Sequence, residues 1–149
     1  MVQTGDVVTL LNDLINGIGF AMLTTVRPNG TLHSRPMACQ GMDAAGVIWL
    51  VSGNNTDTVE AIRTSQQVNL SYTDHAMHRY VSVSGYCELV RDRVQAKVLW
   101  QPEYKSWLPD GLDDSNLILL KIDVQQAEYW DANQGRMLEL GGFASAAFD

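Results

Sequence analysis

Leu32-His33-Ser34-Arg35-Pro36-Met37 is the stretch on which the reading of this chain turns. It follows an apolar, threonine-rich run over residues 20–26 and the turn sequence Arg27-Pro28-Asn29-Gly30. Proline pre-sets the first central position of a β-turn, and glycine accepts a positive φ. Residues 20–26 and 31–38 therefore read as the two arms of a hairpin. Side chains alternate along a strand, so His33, Arg35 and Met37 share one face and Leu32, Ser34 and Pro36 the other. Pro36 cannot donate to a ladder and belongs at an edge or a bulge. Arginine is seldom buried without a partner. A guanidinium on a half-buried strand calls for an anion, and its planar fork suits phosphate or carboxylate. The plainer reading, favoured by spacing alone, pairs Arg35 with one of the chain's own acids.

Outward from the hairpin, the apolar period changes several times. Val7, Val8, Leu10, Leu11, Leu14 and Ile15 recur at helical spacing, and Gly17 or Gly19 stops the run. Residues 47–51 form a continuous apolar strand, 56–65 a short helix burying Val59 and Ile62, and 68–73 another strand. Over 80–90, Tyr80, Ser82, Ser84 and Tyr86 alternate with Val81, Val83 and Cys87. Gly85 interrupts that run and predicts a bend or bulge, a device by which barrels curve. Residues 91–100 read as a helix with Val94 and Val98 inward. Two short strands follow at 117–122 and 127–130, and the end of the chain is weakly specified. Six or seven strands with hairpin connections and few helices are not the alternation of a parallel α/β sheet. The expected class is mainly β (α+β): a small antiparallel barrel with peripheral helices, in one domain over residues 1–149.

The 149 residues suffice for one sizeable core. A net charge of −7 argues against a nucleic-acid or anionic-membrane surface. The N-terminus lacks a basic segment leading into an apolar run, so no signal peptide is expected. No apolar stretch is long enough to cross a bilayer. Cys39 and Cys87 form no Cys-x-x-Cys pair and read as free thiols in a cytoplasmic core.

Few motifs carry chemistry. Asn54-Asn55-Thr56-Asp57-Thr58 lies between a strand and a helix start, where unpaired N–H groups favour phosphate. Ser52, Thr56 and Thr58 add hydroxyls, although plain N-capping by Asn55 or Thr56 accounts for the same residues. His75-x-x-His78 has ligand-like spacing but sits in a loop without a third ligand, so no metal is expected. Gly17-Ile18-Gly19 precedes a strand and lacks the third glycine of a dinucleotide site. No Gly-x-Ser-x-Gly elbow supports a serine hydrolase. Trp100, Trp107 and Trp130 read as core or subunit contacts, or as cover for a flat ring.

Taken in order, several of these segments resemble one family. Met22-Leu23-Thr24-Thr25-Val26 with Leu32-His33-Ser34-Arg35-Pro36-Met37 looks like its first hairpin. Ile62-Arg63, Gln67-Val68-Asn69-Leu70-Ser71-Tyr72 and Arg79-Tyr80-Val81-Ser82-Val83-Ser84-Gly85 match its centre. Val90-Arg91-Asp92-Arg93, Leu119-Leu120-Lys121 and Ala127-Glu128-Tyr129-Trp130-Asp131 follow in the right order and spacing. The chain resembles the general-stress-protein branch of the pyridoxamine 5′-phosphate oxidase-like, FMN-binding split-barrel superfamily. The resemblance implies a split barrel and a homodimer with two FMN molecules at the subunit interface. It implies that the strand with His33, Ser34, Arg35, Pro36 and Met37 runs along the flavin, with Arg35 on phosphate or ring. Trp49, Leu50, Val51 and Ser52 would flank the isoalloxazine, Thr56 to Thr58 would receive the phosphate, and Tyr80 would stand near the flavin. The partner subunit would bring Trp107, with Trp130 in reserve. The family often has a basic residue where this chain has Thr58, which removes one charge-assisted contact. The arginines and lysines by which the vitamin-forming oxidases hold their phosphorylated substrate have no clear counterpart. The implied function is a flavin-dependent oxidoreductase of unknown substrate and redox partner. The alternative is a non-catalytic carrier or sensor of FMN, F420, haem or another flat anionic cofactor.

Overall fold

The computed structural model describes residues 4–141 and residue 143. Among them the elements run α1 (Thr4–Ile15), β1 (Phe20–Val26), β2 (Leu32–Ala38), β3 (Val47–Gly53), α2 (Asp57–Thr64), β4 (Gln67–Asp74), β5 (Arg79–Val90), α3 (Arg93–Leu99), β6 (Leu117–Asp131) and β7 (Arg136–Leu140). Short 3₁₀ helices span Pro102–Ser106 and Gly111–Asp113. No helix among the described residues is long and apolar enough to cross a membrane.

The β1–β2 hairpin forms as its turn chemistry requires. The Arg27 carbonyl accepts from the Gly30 N–H at 2.8 Å, and Gly30 takes a φ of +87° that a side chain would resist. Leu23 then faces Arg35 across the ladder, and Met22 faces Pro36. The sheet is antiparallel in the order β2-β1-β4-β5-β6-β3, with β7 added to β6. Pro36 thus lies on an edge strand, the position its missing N–H demands. β2 and β3 are the two ends of this order. They come close without pairing among the described residues, so the barrel is split along that seam.

Curvature toward the seam comes from Gly85. Ser84 faces Gln126 but Gly85 faces Val124, so Gln125 is an extra, bulged residue on β6. A Cβ on Gly85 would lie 2.3 Å from the Asp123 carbonyl oxygen. Only glycine lets the two backbones approach this closely.

Leu23, Leu50, Leu70, Val83, Leu120 and Ile122 fill the interior, and α1 lays Leu11 and Ile15 on it. Each such side chain contributes about 1.5–3 kcal/mol by leaving water. A second cluster lies outside the sheet, where Val51, Leu117 and Leu119 pack under Ala96 and Leu99 of α3 and under Tyr104 and Leu108. β3 is therefore covered on both faces, which is why its apolar run is continuous instead of alternating. Cys39 and Cys87 are unpaired and buried, and burial pushes their thiols up to about 11 and about 12.

Three expectations need correction. Val94 and Val98 point outward, 77% and 71% exposed. Asp92 caps α3 by accepting from the Gln95 N–H at 3.1 Å, and the helix turns the close-packing face of Ala96 and Leu99 to the sheet. Residues 117–131 form one long strand, because the bulge at Gln125 lets β6 bend without breaking. The weakly specified end of the chain contains β7, whose pairing with β6 supplies order that its own sequence does not advertise.

Gly85→Ala is expected to lower stability at the upper end of the overpacking range, about 3 kcal/mol. Chemical denaturation reads it, and a loss below about 0.5 kcal/mol would show that the bulge accepts a side chain.

Candidate functional site

A cavity of about 760 Å³ opens at the seam. Such a volume suits a small-molecule site, for which about 300–1,000 Å³ is typical. β1 and β2 supply an apolar wall that includes Phe20, Pro36 and Met37. Val51 and Ser52 come from the end of β3, and Thr56 and Thr58 from the start of α2. Glu103, Tyr104 and Trp107 come from the 3₁₀ helix Pro102–Ser106 and the residue after it.

The polar end is built by local bonds. Thr56 caps α2, its Oγ1 accepting from the Val59 N–H at 3.3 Å and donating to the Gly53 carbonyl at 3.0 Å. Asn116 shapes the loop that leads there. Its carbonyl accepts the Asn54 N–H at 2.7 Å, and its side chain bonds the Asn55 N–H at 3.0 Å and the Asn55 Oδ1 at 2.8 Å. The Ser52 hydroxyl donates to the Gly53 carbonyl at 3.3 Å. The first N–H groups of α2 have no intrahelical acceptor, and with the Thr58 hydroxyl they make a donor cluster suited to an anion.

The aromatic end is held by Gln40. Its Nε2 donates to the Tyr104 hydroxyl at 2.7 Å and to the Leu99 carbonyl at 2.6 Å. Tyr104 stands edge-on to Trp100 with ring centres 5.6 Å apart, and tilted against Trp107 at 4.9 Å. Trp107 keeps 41% of its surface exposed. The 3₁₀ spacing of three places Tyr104 and Trp107 on one side of the turn. Sequence reading picked out Trp107 alone, although the i, i+3 repeat of aromatics was there to be read.

Arg35 corrects one expectation and qualifies another. It has no carboxylate partner, since the ion pairs among the described residues are Arg63–Glu60 and Arg93–Asp113. Its guanidinium donates to the Leu23 carbonyl at 3.2 Å, the buried Thr25 hydroxyl at 2.7 Å and His33 Nδ1 at 2.6 Å. Neutral partners leave the positive charge unneutralised. Because arginine can only donate, His33 Nδ1 must accept, which fixes a neutral imidazole with its proton on Nε2. Desolvation and the nearby Arg27 and Arg35 cations lower the His33 pKa from its ordinary 6.5, against the pull of Asp57. Its share of stability is therefore present above the ordinary value and is lost as pH falls through the lowered one. Asp57, the first residue of α2, acts electrostatically on both Arg35 and His33, and Arg35 does not line the cavity.

Of the residues singled out in the sequence, Pro36, Met37, Val51, Ser52, Thr56, Thr58 and Trp107 line the cavity. Trp107 lines the cavity of its own chain. His33 and Arg35 stand beside it. Ser34 bonds the Thr24 hydroxyl on the outer face. Leu50 alternates into the interior. Trp49 turns outward, where its Nε1 donates to Asp43 Oδ2 at 2.9 Å. Tyr80 bonds His75 Nδ1 at 2.7 Å in the β4–β5 hairpin, and Trp130 faces Met137 between β6 and β7. Alternation and pairing, which sequence proximity cannot convey, keep these side chains out of the lining of this cavity in the single chain. Gln40, Glu103, Tyr104 and Asn116 escaped sequence reading because they gather only through the fold.

Known proteins share this architecture. A protein from Clostridium acetobutylicum related to general stress protein 26 superposes with a TM-score of 0.74 over 93% of this chain and 97% of its own, at 19% identity. The general stress FMN/FAD binding protein of Xanthomonas citri gives a TM-score of 0.69 over 92% and 94%, at 22% identity. At these identities the likeness is one of fold. Protein bli-3 of Neurospora crassa is 24% identical over 129 residues, 80% of this chain but only 62% of bli-3, so the chain spans less than two thirds of that relative. The sequence model described as pyridoxamine 5′-phosphate oxidase like matches residues 6–149. Matched over nearly its whole length, the chain belongs to the pyridoxamine 5′-phosphate oxidase-like family.

Proposed function

We propose that the seam cavity binds FMN at the interface of a homodimer and that the protein is a cytoplasmic flavin-dependent oxidoreductase. The observation that carries this reading is the joining, in one cavity, of apolar side chains from β1 and β2 and hydroxyls at a helix start. The wall at Pro36 and Met37 suits the ring system. Ser52, Thr56, Thr58 and the first N–H groups of α2 suit the phosphate, and the unneutralised charge of Arg35 lies close enough to help. FMN, when bound, supplies the redox chemistry, and the protein supplies position and field. The FMN/FAD-binding relative from Xanthomonas citri supports the cofactor class.

The dimer reading rests on the outer face of β1 and β2. Phe20 and Leu32 are 66% and 71% exposed there, beside Met22 and Pro36, and no charged side chain shares that face. Exposed apolar patches of this kind mark interaction surfaces. Phe20 also lines the cavity, so a second copy seated on this face would help close it.

Among the described residues no basic side chain lines the cavity, which favours a second reading, a carrier or sensor. Rapid mixing of the FMN-loaded protein with NAD(P)H separates the two. Reduction of the flavin supports the enzyme, and a flavin that no donor reduces supports the carrier.

Fluorescence titration is expected to show saturable FMN binding, and a protein that never binds FMN overturns the proposal. Arg35→Ala should weaken that binding at least tenfold and cost about 1–3 kcal/mol of stability, because the Thr25 hydroxyl loses its partner. Unchanged affinity would reduce Arg35 to a brace between β1 and β2. Thr58→Lys should strengthen FMN binding by roughly tenfold or more through a charge-assisted bond of about 1.5–3 kcal/mol, while leaving riboflavin unaffected. Equal gains for both ligands would place the phosphate elsewhere. Sedimentation should find a dimer that Met22→Glu with Leu32→Glu converts to a monomer, and a monomeric wild type would refute the interface.

A further inference from the structure

The aromatic end of the cavity has a charge character of its own. Among the described residues the cavity lining contains no Lys, Arg or His, and its one charged residue is Glu103. The Glu103 carboxylate forms no ion pair among the described residues. It stands on the same 3₁₀ turn as the buried Tyr104, against which the ring of Trp107 leans, and Trp107 keeps 41% of its surface exposed. The whole chain adds a net charge of −7, so the field at the mouth disfavours anions. Aromatic faces attract cations, and a carboxylate beside them adds to that attraction.

We propose that this turn forms a subsite for a second, flat aromatic ligand that is neutral or cationic and carries no phosphate or carboxylate. Trp107 holds its ring, Tyr104 backs Trp107 and is itself fixed by Gln40 through the bond to its hydroxyl, and Glu103 selects the charge. The inference rests on the FMN reading, since the second ligand is the one presented to the bound cofactor. It deepens that reading by excluding strongly anionic compounds as the preferred second ligand. Glu103 touches the ligand's charge and takes part in no bond-making step, so it is a specificity-determining residue.

Tryptamine and indole-3-acetate test the assignment, because they share one ring system and differ in the sign of their charge. Calorimetric titration at low ionic strength, with and without FMN, is expected to show tryptamine binding about fivefold or more tightly than indole-3-acetate. Glu103→Gln should bring the two within twofold, and Glu103→Lys should invert their order. Added salt should shrink the wild-type preference, since Glu103 is exposed at the mouth. Equal binding of the two probes, binding of neither, or a preference that survives Glu103→Gln overturns the subsite. FMN uptake is read separately in the same samples. A preference for tryptamine without FMN uptake keeps the subsite and removes the flavin reading, and FMN uptake without the preference does the reverse.

Discussion

Backbone hydrogen bonds run from β2 through β1, β4, β5 and β6 to β3, and among the described residues none joins β3 back to β2. A closed barrel would have no edges and an interior filled by side chains. Of the edges this sheet keeps, those of β2 and β3 face each other across a gap of cavity size. Pro36 sits on one of them and cannot offer a full set of donors to a neighbour. At the other edge the chain leaves β3 at Gly53 and turns into α2, which brings a helix start to the gap. The site is what remains when a barrel is prevented from closing.

The seam is kept open and in place from a distance. The bulge opposite Gly85 bends β6, the strand that carries β3, so the last strand swings toward the first. Outside the sheet, the cluster of Leu99, Tyr104 and Leu108 presses the 3₁₀ turn against the outer face of β3. Gln40, two residues past the end of β2, ties that turn back to the opposite edge. Two hydrogen bonds and an apolar cluster thus set the position of the aromatic rings, and neither belongs to the sheet itself.

Charge is distributed unevenly around this gap. Arg35 stands just behind the wall, held by a carbonyl, a hydroxyl and an imidazole, none of which cancels it. Among the described residues of the lining the only charge is negative and lies at the aromatic end. A ligand with a phosphate at one end and a neutral ring at the other matches the first arrangement. A ligand with a positive or neutral ring matches the second. The proposed cofactor and the proposed second ligand therefore draw on opposite ends of one field.

Much of this was legible in the residues alone. The hairpin turn at Arg27-Pro28-Asn29-Gly30, the alternation through Ser82 and Val83, the bulge at Gly85 and the cap at Thr56 each follow from local stereochemistry, and each holds in the fold. Local rules failed where packing chose between faces. Val94 and Val98 have the spacing of a buried stripe, yet Ala96 and Leu99 fit the sheet more closely. The sequence by itself determined the strands, the turns and the residues able to donate to an anion, because those depend on neighbours a few positions away. Only the tertiary structure decided that β2 and β3 stay unpaired, that Arg35 meets no acid, and that Gln40, Glu103 and Tyr104 share one cavity. Those outcomes depend on which surfaces exclude water together, and residues more than sixty positions apart settle them jointly.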